Sequence, residues 1–471
     1  MVLFTFVFSL VFFLGIGLWS VVRSRGTAGD YYLASRSVSP LFVGLSAIAT
    51  NNSGYMFIGV IGYTYTTGLP AIWLMIGWIL GDFLASLFLH SRLRRATEKT
   101  GEVSFAGVLS TWNGTDWVRY RRLAAIVTVI FLGAYASAQF NAGGKALTAM
   151  FGWGTSTGAV LVAGIVLLYC IAGGIRASIW TDVAQSFVML VAMAILFLAA
   201  IGGQGGFAPA WQRMAEVPEF LNLFPGDLLV PGITGVALFV IGWMFAGFSV
   251  VGQPHIMVRF MALDDPGNMT AARVWYYGFF IIFYMLATGV GMLSRLYLPD
   301  LQSLDPELAL PTMAQELLSP WLVGVILAGI FAATMSTADS LILSCSAAVT
   351  HDLLPHRRES PVWIKGATVA VTLLALGLAL SGNESIFSLV ILAWSVLASA
   401  FAPLLLVYAT GGRPSEAIAL ATTVIGVAVA LAWRQTGWHV LVYEGMPGIL
   451  AGFATYAILT AAAMRLQAAR R

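Results

Sequence analysis

Four polar residues in a run of five interrupt an otherwise apolar segment: Ser336, Thr337, Asp339 and Ser340, preceded by Ala332, Ala333, Thr334 and Met335. On a helix, Ser336 and Ser340 are i,i+4 neighbours and Asp339 stands three residues after Ser336, so these three share a face. Hydroxyls, a carboxylate and backbone carbonyls are hard oxygen donors. No sulfur or imidazole accompanies them, so the set suits an alkali ion or a proton rather than zinc or copper. The plain alternative is that each hydroxyl bonds back to its own helix; an acid inside the cluster argues against it. Three carboxylates, Asp82, Asp182 and Asp339, lie in apolar stretches. Burying each in lipid costs roughly 2.5–3.5 kcal/mol, so each needs a partner or a task. Lys and Arg are nearly absent from those stretches, and the expected counter-charge is a bound cation rather than a salt bridge. Asp82 follows Gly81 with no polar cluster around it, and a bond to a neighbouring helix is as good a reading as function.

The elements that must position these groups are membrane helices. Of 471 residues, 59% are hydrophobic and only 10% charged, against about 25% charged in soluble domains. Mean hydropathy is +0.87. A net charge of +3 is too small to suggest a nucleic-acid partner. Cys170 and Cys345 sit in apolar runs and form no CxxC pair. His90, His255, His351, His356 and His439 fall in loops or at span edges, and no HExxH, GxSxG or Walker motif occurs. An enzyme is therefore not expected, nor a cofactor.

A bilayer core takes about 20 apolar residues as a helix. The expected fold class is an all-α integral membrane protein of about thirteen transmembrane helices. The stretches are 2–22, 41–65, 69–90, 123–149, 157–175, 180–202, 232–252, 274–297, 319–349, 362–381, 386–411, 415–433 and 447–464. The first lacks a basic leading region and a convincing cleavage site, so it reads as a retained helix. With the N-terminus outside, 20 of the 24 Lys and Arg face the cytoplasm; Arg213, Arg295 and Arg434 face out, and Lys145 falls near an outer span end. That asymmetry favours an odd span count, N-terminus out and C-terminus cytoplasmic, in a cell inner membrane.

Two stretches look interrupted. The second carries Asn51, Asn52, Ser53 and Gly54 at membrane depth; the seventh carries Gly242, Gly247, Ser249 and Gly252 before Pro254. A broken helix frees backbone groups that lipid cannot satisfy, so the breaks must line a cavity. Close helix packing by small residues is the bland reading. The two breaks lie five spans apart, as expected of inverted five-helix repeats with ion and solute sites at the interruptions. The expected organisation is 1–40 as an extra N-terminal helix and loop, 41–202 and 232–411 as the repeats, and 412–471 as two further helices.

Five segments bring a resemblance: GDYYLASRS (29–37), LSAIATNNSGY (45–55), GGIRASIWTDVAQ (173–185), GQPHIMVRFMA (252–262) and AGIFAATMSTADS (328–340). In this order they resemble the sodium/solute symporter family, nearest its bacterial sodium/proline symporters, over roughly residues 25–410. The resemblance implies a LeuT-type inverted repeat. It implies a sodium site formed by backbone carbonyls of Ala49, Asn52 and Ala333 with the hydroxyls of Ser336 and Thr337. By analogy with members that bind a second sodium, Asp182, Ser336, Asp339 and Ser340 would form that site, or hold a proton.

Two departures bear on the solute. Proline-transporting members carry an Asp where this chain has Asn51, and aromatic residues where it has Ala246 and Val250. Tyr135 and Pro254 match. The expected solute region is Asn51, Ser53, Gly54, Tyr55, Tyr135, Gln139, Ala246, Val250 and Pro254, with Asn141 nearby. The expected function is sodium-coupled import of a small organic solute, an amino acid such as proline, by alternating access. Sodium, the solute and membrane lipid are the expected partners of a monomer or weak oligomer. A proton-coupled symporter of an organic acid or other solute is the alternative on the same fold. From another class comes a membrane sensor or channel, although only RLQAARR follows the last stretch, too little for a fused signalling module.

Overall fold

The computed structural model describes residues 1–23, 25–299, 305–354, 360–382 and 385–469. His356, Arg357, Arg358, Arg470 and Arg471, used in the sequence reading, lie outside the described residues. The described chain is helical, with one isolated bridge between Val38 and Leu263.

Helix α1 (Val2–Trp19) buries only Phe6, Leu10, Phe13 and Gly17. These four recur every three or four residues and make one stripe; the remaining apolar surface faces outward, as on a lipid-exposed helix. The short α2 (Ala28–Leu33) leads to α3 (Pro40–Asn51) and α4 (Val60–Thr67), separated by the Asn52–Gly54 break and a π-turn at Tyr55–Gly59. Then follow α5 (Ile72–Thr100), α6 (Phe105–Thr111), α7 (Val118–Phe151) and α8 (Thr155–Gly203). At 1.5 Å per residue, the 49 residues of α8 would span about 73 Å, far beyond a bilayer core. Gly174 breaks it: φ is 57° and ψ −142°, and a Cβ there would lie 2.5 Å from the Tyr31 carbonyl oxygen. Glycine is required at that bend.

After α9 (Phe207–Ala215), the second interruption separates α10 (Ile233–Phe248) from α11 (Pro254–Met261). Helices α12 (Met269–Tyr297), α13 (Ala309–Leu317), α14 (Pro320–Ala347), α15 (Pro361–Ser381), α16 (Ile386–Ala409), α17 (Glu416–Gln435) and α18 (Gly445–Ala469) complete the chain. Among the described residues, eleven helical stretches are long and apolar enough to cross a membrane. Counting the bent α8 twice and adding the interrupted α3–α4 crossing brings these to thirteen. Five crossings, from α3–α4 to the second half of α8, precede five from α10–α11 to α16. Helix α1 precedes both sets and α17 and α18 follow them.

Helix α14 is the axis of the bundle. Every residue from Ile326 to Leu343 is buried, and α14 packs against α1, α3, α7 and α8. Its polar residues therefore meet protein on every side, not lipid. Helices α5 and α10 meet backbone to backbone. A Cβ on Gly81 would lie 1.9 Å from the Met244 carbonyl oxygen, and one on Gly247 would lie 2.0 Å from that of Trp78.

Candidate ion and solute site

Helix α3 ends at Asn51, and Asn52 leaves helical geometry with φ −82° and ψ 58°. The last carbonyls of a helix have no intrahelical donor and carry the negative end of its dipole. Here they meet hydroxyls of α14. Ser336 Oγ donates to the Ala49 carbonyl (3.0 Å) and the Ala333 carbonyl (3.1 Å), and Thr337 Oγ1 donates to the Thr50 carbonyl (2.8 Å). Ala49, Ala333 and Ser336 are thus in direct contact, with Thr337 beside them. The Asn52 side chain is buried next to this set, with both polar atoms lacking a hydrogen-bond partner. A hydroxyl that donates to a carbonyl can turn its lone pairs inward when a cation arrives, and carbonyls can replace an ion's hydration shell.

Beyond Asn52 the break holds the groups expected to meet a solute. Tyr135 Oη donates to Ser53 Oγ at 3.0 Å, and the Gly54 amide donates to Gln139 Oε1 at 2.9 Å. Gln139 Nε2 and the Tyr55 hydroxyl are buried without a hydrogen-bond partner. A Cβ on Gly54 would lie 2.6 Å from Thr334 Cγ2. In the second break, Ser249–Gly252 forms a tight turn and Gln253 is extended before Pro254 starts α11. Gln253 Nε2 donates to the Ser249 and Trp394 carbonyls, and its Oε1 has no partner. Ala246 and Val250 are fully buried. Pro254 borders a small separate cavity of about 20 Å³ with Tyr32, Ser104 and Asp352. Asn141 is only half-buried.

Several residues go elsewhere than expected. Asn51 Nδ2 donates to Tyr276 Oη (2.5 Å), which donates to Asp82 Oδ2 (2.8 Å). Asp82 therefore bonds a neighbouring helix, α12, and through it the end of α3. His90 and His255, expected in loops or at span edges, lie in α5 and α11 and are fully buried. His90 stacks on Phe260 at 3.8 Å, whereas His255 stands edge-on to Tyr135 at 5.5 Å, beside the second break.

The expectation that no salt bridge faces the buried acids fails. Arg259, counted above with the cytoplasmic loops, is fully buried on α11. Its guanidinium lies 3.3 Å from Asp182 and 3.6 Å from Asp339. It escaped notice because it follows a break, where span limits are hardest to read, and because its partners lie on other helices. The motif GQPHIMVRFMA carried the signal: an arginine five residues after a proline that restarts a helix.

Outside the break, Phe387 at the start of α16 stacks on Tyr55 (5.3 Å) and on Tyr63 (5.3 Å). The same ring borders two outer cavities, one of about 440 Å³ with Lys145, Asp305 and Glu307, the other of about 290 Å³ with Trp243, Arg434 and Tyr443. Phe387 thus touches the break through Tyr55 and lines both cavities, a placement that no motif carried.

The sodium:solute symporter family profile matches residues 31–426. The chain belongs to this family. A high-affinity proline transporter PutP of Bacillus subtilis is 32% identical over 447 residues, covering 93% of each chain. A sodium/proline symporter of Salmonella typhimurium is 31% identical over 445 residues, 91% of this chain and 87% of its own. Among solved structures, a sodium-coupled sialic acid symporter in a substrate-bound outward-open state aligns over 97% of each chain, with a TM-score of 0.81 and 19% identity. The nucleobase-cation symporter Mhp1 in a closed conformation aligns over 90% of this chain and 92% of its own, with a TM-score of 0.57 and 13% identity. The fold is thus the LeuT-type inverted repeat, with one extra helix before it and two after. The protein is a multi-pass membrane transporter, not an enzyme, and couples solute movement to sodium.

Proposed function

We propose that this symporter imports a small amino acid, proline foremost. The curated relatives named for proline transport support that solute. We assign the coupling sodium to Ala49, Asn52, Ala333, Ser336 and Thr337. One observation carries the assignment: the hydroxyls of Ser336 and Thr337 converge on the last carbonyls of α3. We assign the solute to Ser53, Gly54, Tyr55, Tyr135 and Gln139, with Ala246 and Val250 as wall positions. Asn51 acts through Tyr276 and Asp82, and Pro254 through the start of α11.

Sodium draws α3 and α14 together at the break and so fixes the backbone that solute must meet. Solute then reaches Ser53 and Gly54 past the Tyr55–Phe387 stack. A four-helix bundle and the remaining scaffold rock against each other, the site opens inward, and both cargoes leave. Each sodium entering gains about 2.3 kcal/mol per 100 mV of membrane potential, enough for more than tenfold accumulation. The basic-residue asymmetry supports an N-terminus outside, a C-terminus in the cytoplasm and an inner-membrane location. The protein works as a monomer or weak oligomer in lipid.

The test is uptake of labelled proline, other amino acids, carboxylates and sugars into proteoliposomes, with and without a sodium gradient. Sodium-driven proline uptake that vanishes in Ser336→Ala with Thr337→Ala is expected. Uptake indifferent to sodium would sink the ion assignment, and sodium-driven uptake of another solute class would sink the proline assignment. Proton coupling at Asp182 and Asp339 is the competing reading. The guanidinium between them counts against it, and uptake driven by a pH gradient alone would favour it.

A further inference from the structure

Arg259 sits among oxygens that would otherwise suit a cation. Its Nη2 pairs with Asp182 Oδ2 at 3.3 Å and Asp339 Oδ1 at 3.6 Å, and donates to the hydroxyls of Ser178 and Ser340. Nε donates to Ser46 Oγ at 3.3 Å. Ser46 comes from α3, Ser178 and Asp182 from α8, and Asp339 and Ser340 from α14. Asp182 also accepts from Ser46 at 2.6 Å. Asp339 also accepts from Tyr169 (2.9 Å), Ser178 (2.9 Å) and Ser340 (2.8 Å).

The cluster lies one helical turn from the proposed sodium ligands along two helices. Ser46 precedes Ala49 by three residues on α3, and Ser340 follows Ser336 by four on α14. Because α3 and α14 belong to crossings of opposite direction, both steps lead towards the same membrane face. That face is the cytoplasmic one in the proposed orientation. Ser340 also bridges the two regions, donating to the Ser336 carbonyl at 2.7 Å and lying 3.1 Å from Thr50 Oγ1.

We propose that Arg259 is a tethered cation that fills the place of a second coupling ion, so that this protein binds and moves one sodium per cycle. Arginine stays charged in any such setting. Two carboxylates against one guanidinium leave a single negative charge. The neighbouring carbonyl–hydroxyl site is itself neutral and takes one sodium ion. The buried region is then balanced by one sodium and has no place for another. Without the guanidinium, two carboxylates and three serine hydroxyls would remain, a hard-oxygen set that a second sodium can enter.

The inference rests on the sodium-coupled reading above, but its test does not need the solute. Radiolabelled sodium binding to the purified full-length protein counts sites directly. We expect one site per chain in the wild type and in Arg259→Lys, rising about twofold in Arg259→Gln. Should Arg259→Gln fail to fold, Arg259→Ser, also neutral and bringing a further hydroxyl oxygen to the vacated set, is counted in its place, and the same rise is expected there. Two sites in the wild type, or no rise in a folded neutral variant, would overturn the proposal. No saturable sodium binding in any form would count against sodium coupling itself.

Discussion

Within about one turn, α14 presents two polar regions of opposite construction. Around Ser336 and Thr337, every partner is a neutral hydroxyl or carbonyl. Around Asp339 and Ser340, the partners include a second carboxylate and a guanidinium. The first region gains its purpose from α3 ending early, which leaves carbonyls seeking a positive partner. The second already contains its positive partner. A neutral oxygen cage can accept and release an ion each cycle, whereas a buried ion pair resists disruption because either half alone is costly. On the proposed site assignment, exchangeable and fixed charge occupy successive turns of one helix.

The largest expected effect falls on the exchangeable half. A hydrogen bond to a charged group contributes about 1.5–3 kcal/mol. Ser336→Ala with Thr337→Ala should therefore lower sodium affinity on the order of a hundredfold or more. The sodium dependence of uptake reads this directly, and melting in detergent should fall only by the cost of leaving the Ala49 and Thr50 carbonyls unpaired, about 1–3 kcal/mol. The fixed half should behave the opposite way. Arg259→Met leaves two carboxylates without their partner and should cost about 3–5 kcal/mol of stability, seen as a lowered melting temperature. Equal melting losses in both variants would erase the distinction.

Smaller effects refine it. Gly54→Ala pushes a methyl towards Thr334 Cγ2, 2.6 Å away, and overpacking of that kind costs about 1–3 kcal/mol. The solute concentration for half-maximal uptake should rise, with sodium binding less affected. Tyr276→Phe cuts the link between Asn51 and Asp82 and should cost about 0.5–1.5 kcal/mol in stability, with sodium affinity nearly unchanged. A large drop in sodium affinity would instead make Asp82 part of the exchangeable half.

The smallest effect lies outside the spans, at Asp30. Burial raises its carboxyl, but the Arg25 amide, Arg176 and Ser35 outweigh this and hold it below the usual carboxylate range. A depressed folded-state value means stability that is present above the unfolded value and lost as pH falls through the folded one. Asp30→Asn should therefore flatten the acid limb of the melting profile and leave neutral pH as the place of greatest loss.

The sequence made the α3 break and the α14 hydroxyls legible because each is local: four small polar residues inside an apolar run leave few alternatives at membrane depth. The count of crossings was readable for the same reason, since apolar length is a property of consecutive residues. Arg259 was not legible. Its charge is visible, but its burial depends on α11 lying against α3, α8 and α14, an approach no spacing encodes. The same holds for His90 and His255, and for Phe387, whose neighbours Tyr55 and Tyr63 come from the other repeat. Asn51 was read as altered chemistry, and its partner Tyr276 lies in a distant helix with no polar marker around it.

The backbone-to-backbone meeting of α5 and α10 carries a consequence for how such a protein diversifies. Gly77, Gly81 and Gly247 admit no side chain at that seam, so the course of α10 is fixed independently of what its other faces display. Ala246 precedes Gly247 on that fixed course, and Val250 follows in the turn that ends it. Their side chains can be exchanged without redirecting the helix. On the proposed site assignment, a lineage could therefore retune which molecule it accepts at those two positions while the proposed ion site, one turn of α14 against the end of α3, stays unaltered.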